Sequence, residues 1–298
     1  MKVVVGGASG FLGRHLTEAL RERGHEITSL VRREPEAGES RWDPAEGVVD
    51  ASVIEGADVV VNVAGSPTIG NPHSRRWARN LRESRVSTTR TLAEAIAASK
   101  RKPAFLAGNA VAIYGDHGDA QVTEDGDSRG HTLMTEVTRV WEAAAQPAVD
   151  AGARVCVLRT APVLDRESEP LRTLRRLFWT GLGGRIGSGG QYFPVVSLRD
   201  WLGGVVHLAE HDDVRGAFNL CCPRTPTNAE FTRELARAVR RPAFLPVPSP
   251  LIRVGAGPLA PELLGSVNLV PRALLDAGYE FRDRDVTAVL AAGLAAQR

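Results

Sequence analysis

The sequence predicts an α/β fold, a doubly wound parallel sheet with a smaller C-terminal substrate-side and helical region. Three observations predict it. Over residues 1–165, short β-branched runs alternate with helical patterns. A glycine-rich turn joins the first run to the first helix. Beyond residue 165 the alternation loosens into glycine- and proline-rich chain. Strands separated by helices of this length need crossover connections, which produce parallel sheets.

The elements follow in order. Val3-Val4-Val5 reads as a buried strand. Leu12, Leu16, Ala19 and Leu20 share one face of a helix over 11–23 that stops near Gly24. His25 to Val31 and Ala57 to Gly65 are further strands, followed by a helix over 74–99. Next come a strand over 104–108, a helix over 132–150 and a strand from Arg154 to Arg159. Gly181 to Gly190 is too glycine-dense for a packed helix and reads as a loop over a ligand cleft. Helices are expected near 199–210 and 227–240, and Arg241 to Pro250 marks a boundary. The expected organisation is therefore 1–165 as the sheet domain, completed by parts of 195–225, then 166–249 as a substrate-side region, and 250–298 as a small helical tail.

Composition narrows the function. The net charge of +2 gives no basic footprint for nucleic acid. No run approaches the ~20 apolar residues of a membrane span, and the N-terminal apolar run is too short for a signal peptide. The cysteines Cys156, Cys221 and Cys222 show no metal-ligand spacing, and their usage fits a reducing, cytoplasmic setting. The expected partner is a small molecule. No metal is expected.

The turn Gly7-Ala8-Ser9-Gly10-Phe11-Leu12-Gly13 joins the first strand to the first helix, as in a Rossmann-type dinucleotide site. Glycine tolerates the tight turn, lets a pyrophosphate approach the backbone, and permits close helix–strand packing. The free N–H groups and the helix dipole then attract the anion. Cofactor choice is read at the end of the second strand. An acid there would accept from the NAD ribose, but the strand ends in Arg32 and Arg33, which suits the 2′-phosphate of NADP. Asn62, Ala64 and Gly65 end a central strand where ligands gather. Asp43, before Pro44, can either reach the adenine edge or start a turn.

Together these pieces resemble the extended short-chain dehydrogenase/reductases. More narrowly, the chain is similar to the atypical NAD-dependent epimerase/dehydratase family with a small C-terminal domain of unknown function, some members of which carry the old label "cell division inhibitor". The glycine turn, Trp42-Asp43-Pro44, Asn62-Val63-Ala64-Gly65, Arg76-Trp77, Ser84-Arg85, Tyr114-Gly115-Asp116 and Trp141-Glu142 carry the likeness through the first half. Leu245-Pro246-Val247-Pro248 and Gly278-Tyr279-Glu280-Phe281 carry it through the tail. The resemblance implies NADP(H) held by Gly7, Gly10, Gly13 and Arg32. It places Ala64 on the nicotinamide-ribose side and Pro162 and Val163 near the nicotinamide. Superfamily members often dimerise through helices corresponding to 74–99 and 132–150.

The superfamily's usual Tyr-x-x-x-Lys pair puts both groups on one helix face, where the lysine lowers the tyrosine pKa. This chain lacks it. Four residues after Tyr114, Tyr192 and Tyr279 stand Gly118, Val196 and Asp283. Counting back from Trp141 places Met134 and Thr138 at the expected positions, and Ala110 where an assisting serine or threonine would be. Two readings remain. Either an oxidoreductase or epimerase uses other groups, with Tyr114, His131 and Asn109 as candidates, or the protein binds NADP(H) without turnover as a redox sensor or scaffold. Histidine is a residue type suited to proton transfer, which makes His131 a candidate, and Asn109 can orient a substrate or the nicotinamide carboxamide. Trp77, Arg159, Trp179, Arg185, Gln191 and Tyr192 are expected around the substrate pocket, with Arg185 as the anion contact.

Overall fold

The computed structural model describes residues 1–68, 70–243 and 246–295. Leu245 and residues 296–298, which the sequence reading assigns to the tail and its resemblance, lie outside that set. The first half contains β1 (Lys2–Gly6), α1 (Phe11–Glu22), β2 (Glu26–Val31), β3 (Glu39–Asp43), β4 (Val48–Val49), α2 (Ala51–Glu55), β5 (Val59–Asn62), α3 (Arg75–Ala98) and β6 (Ala104–Ala110). Then follow β7 (Gln121–Val122), α4 (Leu133–Ala143), α5 (Gln146–Asp150), β8 (Val155–Thr160), β9 (Val163–Leu164), α6 (Glu169–Trp179), β10 (Val196–Ser197), α7 (Leu198–Glu210), β11 (Gly216–Leu220) and α8 (Asn228–Val239). The tail adds α9 (Ser249–Ala256), α10 (Ala260–Leu264), β12 (Asn268–Leu269), α11 (Arg272–Asp276) and α12 (Val286–Leu294).

Eight strands form one sheet in the order β11-β8-β6-β5-β1-β2-β3-β4. Its pairs are parallel except β3 with β4. Helices cover both faces, so central strands have no polar side. Val3 and Val5 pack with Leu16, Leu20 and Val205, while Val4 packs with Leu92 and Ile96 on the opposite face. Strand order reverses between β1 and β5, which opens a crevice beyond their carboxyl ends.

The expected helix over 132–150 is two helices. Pro147 sits in the first turn of α5, where its missing N–H costs nothing, and it could not continue α4. Helix α6 was not expected. Its apolar face is thin, with only Leu171 and Phe178 buried. The edge strand β3 was also not expected, because Glu39-Ser40-Arg41 carries no apolar run.

The tail folds back onto the sheet domain. Val286, Val289 and Leu290 of α12 pack with Phe231 and Leu235 of α8. The buried Asp200 carboxylate of α7 accepts hydrogen bonds from the Tyr279 hydroxyl and from the backbone N–H groups of Arg282 and Asp283. This knot fixes the tail's course, which carries α10 against the crevice.

Candidate functional site

The N-cap of helix α1 is Gly10, whose missing side chain leaves the helix N-terminus without a side-chain cap. The first-turn N–H groups therefore need an outside acceptor. Gly7 has φ +86, the left-handed region that favours glycine, and a Cβ there would lie 2.7 Å from the Ala64 nitrogen. A Cβ on Gly13 would lie 2.1 Å from the Gly7 carbonyl oxygen, so this helix–turn contact requires glycine. A Cβ on Gly10 would meet only the Gly7 oxygen, at 3.3 Å, and otherwise face open space. The cradle is thus closed on its protein side and open outward at an uncapped helix, which fits a pyrophosphate. Ser9 is exposed at its rim, and Phe11 and Leu12 line the adjoining cavity.

At the end of β2 the two arginines separate. Arg33 donates to Glu39 at 2.7 Å and lies 3.6 Å from Glu36. Arg32 is exposed and makes no hydrogen bond or ion pair among the described residues. The site's uncommitted cation at this strand end is therefore Arg32. Asp43 takes the turn role: its Oδ1 accepts from the Ala45 N–H at 3.0 Å. Asn62 is fully buried beneath the crevice and does not line it. Its amide donates to Thr89 at 3.0 Å and its Oδ1 accepts from the Ala64 N–H at 3.1 Å, which shapes the turn that presents Ala64 and Gly65.

A cavity of about 1080 Å³ continues from this turn. Val63, Ala110, Met134, Trp141, Pro162 and Val163 wall its sheet side. Leu259 to Gly265 of the tail roof it. The expected positions of the missing pair fall as counted: Met134 faces the cavity, and the buried Thr138 hydroxyl donates to its own helix at the Met134 carbonyl, 2.8 Å away.

Of the three catalytic candidates from the sequence, Asn109 lines the cavity, whereas Tyr114 and His131 do not. Tyr114 is 0% exposed, does not line the cavity, and has its hydroxyl between Asn219 Oδ1 (2.6 Å) and Arg159 Nη1 (2.8 Å). Burial, opposed by the Arg159 charge, pushes its phenol up to about 12, the wrong direction for a base at neutral pH. Asn109 reaches the cavity wall, but its amide donates to Glu142 at 2.8 Å and its Oδ1 accepts from the Ala110 N–H. The His131 side chain is 84% exposed beside Glu136 and outside the cavity. Asn109, Glu142, Arg159, Tyr114 and Asn219 instead form one satisfied network joining β6, α4, β8 and β11.

Arg185 is a second correction. It donates to the Gly187 and Ser188 carbonyls of its own loop and faces a separate groove beside Arg233 and Arg237 of α8. The glycine loop that carries it does not cover the crevice. It is tied to α8 and Val247 through Asn228 Oδ1, the Ala229 N–H and the Val247 backbone. Of the six expected pocket residues only Tyr192 lines the cavity.

Two cavity residues escaped sequence reasoning as site candidates. Arg85 of α3 sits on the helix stripe Leu81, Arg85, Thr88, Leu92, and a charge on a buried stripe is the signal that could have found it. Glu262 of α10 stands among Leu259, Ala260, Leu263 and Leu264. Its Oε1 accepts a hydrogen bond from the Thr132 hydroxyl, the N-cap of α4, at 2.8 Å. Burial holds its carboxyl above the usual glutamate range, and the Thr132 bond opposes this. Among the described residues there is no cluster of three His, Cys, Asp or Glu able to hold a metal, and no helix long and apolar enough to cross a membrane.

Strand order and the uncapped glycine turn define a Rossmann-type α/β protein whose crevice is roofed by its own tail. Residues 3–161 match the NAD dependent epimerase/dehydratase family, and residues 247–292 match a domain of unknown function, DUF1731. The chain is 37% identical over 290 residues to the epimerase family protein ML0860 of Mycobacterium leprae, covering 95% of this chain and 92% of that one. It is 36% identical over 296 residues to the human epimerase family protein SDR39U1, covering 97% and 98%. The crystal structure of human SDR39U1 (isoform 2) with NADPH superposes with a TM-score of 0.86 at 34% identity, covering 97% of this chain and 98% of that one. A nucleoside-diphosphate sugar epimerase from Corynebacterium glutamicum gives a TM-score of 0.81 at 34% identity, covering 99% of this chain and 58% of that one. The chain belongs to the NAD-dependent epimerase/dehydratase family.

Proposed function

We propose that the protein is an NADP(H)-dependent oxidoreductase of the epimerase/dehydratase type that acts on a small substrate. In this reading Glu262 moves the proton that a tyrosine moves elsewhere in the superfamily. The observation that carries it is a single cavity reached both by the turn after β5 and by a carboxyl from the tail, on the face where Met134 replaces the tyrosine. Uncommitted Arg32 and the NADPH in the human relative's crystal structure support NADP(H) over NAD(H). Gly7, Gly10 and Gly13 would hold the pyrophosphate, and Pro162 and Val163 would flank the nicotinamide.

NADPH, when bound, supplies a hydride to a substrate carbonyl carbon. The protonated Glu262 carboxyl gives its proton to the carbonyl oxygen and becomes a carboxylate, and in the oxidative direction it takes the proton back. Its raised pKa brings it closer to the operating pH, where such transfer is most effective. The Thr132 hydroxyl holds one oxygen of this cavity-lining carboxyl.

NADPH deuterated at nicotinamide C4, incubated with a panel of aldehydes, ketones and sugar nucleotides, tests the reading. The expected outcome is stereospecific transfer to at least one substrate. Glu262→Gln is expected to lower the rate by about 10²–10⁴-fold with NADPH affinity unchanged. Reduction should be lost as pH rises through the raised Glu262 pKa, and oxidation should be gained over the same range. Tight NADPH binding with no transfer to any substrate would favour the second reading, a non-catalytic NADP(H) sensor or scaffold. That reading is supported by the absence of the tyrosine and lysine from positions 134 and 138.

A further inference from the structure

We propose that Arg85 anchors an oxyanion, a carboxylate or phosphate carried by the substrate, so that the cavity selects small anionic molecules. The proposal rests on the reading of the cavity as a substrate site, but it requires no turnover.

Arg85 is 7% exposed and lines the cavity. A guanidinium carries five N–H donors. One on Nη1 goes to the Leu81 carbonyl and one on Nη2 to Thr68 Oγ1, both at 3.0 Å. The buried Nε–H has no partner among the described residues. The Trp141 ring covers one side, 5.1 Å from the guanidinium carbon, and a Cβ on Gly65 would come within 3.4 Å of that carbon on another. No carboxylate pairs with Arg85 among the described residues. Burial alone drives its pKa down to about 10, because nothing nearby compensates the charge.

Other arginines of this fold show the contrast. Arg159 is buried against a bidentate Glu142, and Arg199 pairs with the fully buried Asp283. Arg85 has neither a counter-charge nor full hydrogen bonding. A buried unpaired cation is costly, and an arginine retained solely for packing over Trp141 would not require a charged head opening on a cavity. The charge that completes it is expected from the ligand. Nε–H is sealed as well as unpartnered, so an oxyanion would reach the guanidinium through its remaining Nη–H donors, whose planar fork matches two oxygens of a carboxylate or phosphate. Arg253 lines the same cavity, as do the carboxylates of Asp116, Glu169 and Glu262, so the anion site is local to the Arg85 guanidinium. The remaining wall is mostly apolar, which suits a compact organic anion.

The test uses the full chain saturated with NADPH, so that the pyrophosphate and 2′-phosphate sites are filled. Succinate, inorganic phosphate and the neutral succinamide are titrated calorimetrically at constant ionic strength. Succinate or phosphate is expected to bind and succinamide not to bind, and the stronger of the two anions identifies the group. Arg85→Met is expected to weaken that binding about tenfold or more and Arg85→Lys less, with NADPH affinity retained in both. The unaltered protein gives a second readout, since the ¹⁵N resonance of Arg85 Nε should shift on anion binding. Equal binding of succinamide, unchanged anion affinity in Arg85→Met, or an Nε resonance indifferent to anion would overturn the proposal. So would loss of NADPH affinity in Arg85→Lys. Anion binding by the unaltered protein while no hydride moves to any substrate would support this proposal and count against the catalytic reading alone.

Discussion

At the β1–β5 end of the cleft, ligand-facing groups are backbone N–H atoms released by missing side chains. At the α4 end they are side chains delivered from α3, α4 and the tail, including Arg85, Met134 and Glu262. The first arrangement is local: Gly7, Gly10 and Gly13 are neighbours in the chain, and each role depends on the absence of a Cβ. The second is assembled across more than 170 residues and depends on where the tail folds. Binding and chemistry can therefore diverge, with the cradle retained while the reacting groups change.

The largest effect expected from breaking the comparison is at Gly13. Gly13→Ala puts a methyl 2.1 Å from the Gly7 oxygen, backbone against backbone. It should cost about 3 kcal/mol or more in denaturant unfolding and remove measurable NADPH binding. An alanine variant with ordinary affinity would mean that the cradle is not closed as described. A smaller, differently directed effect belongs to Tyr114→Phe. Loss of the hydroxyl leaves Asn219 Oδ1 and Arg159 short of a partner, at about 1–3 kcal/mol of stability, with NADPH affinity and turnover unchanged. A fall in kcat without a change in stability would return Tyr114 to the chemistry. The smallest effect is at exposed His131, where alanine should change stability by less than about 0.5 kcal/mol and leave the pH–rate profile unmoved.

These differences explain what the sequence could and could not convey. The parallel sheet was legible because strands buried on both faces are continuous apolar runs, as in Val59 to Val61. The cradle was legible because a glycine spacing at a strand–helix junction has few other uses. Tyr114 and Arg159 were misread because a polar residue near a strand end looks the same whether it faces substrate or a buried partner. Only the tertiary contacts with Glu142 and Asn219 decide. Glu262 was illegible for the converse reason: it becomes a site residue only when the tail meets the N-terminus of α4. Arg185 failed because its loop glycines serve close packing, as at Gly189 against Ala229.

The division of the cleft rests on its cofactor end reading the 2′-phosphate through Arg32, and paired titrations of NADPH and NADH into the unaltered protein and Arg32→Ala measure this. The unaltered protein should prefer NADPH, and the variant should bind NADPH roughly tenfold or more weakly with NADH affinity unchanged. Equal affinities for the two cofactors in the unaltered protein, or unaltered NADPH affinity in the variant, would contradict the account.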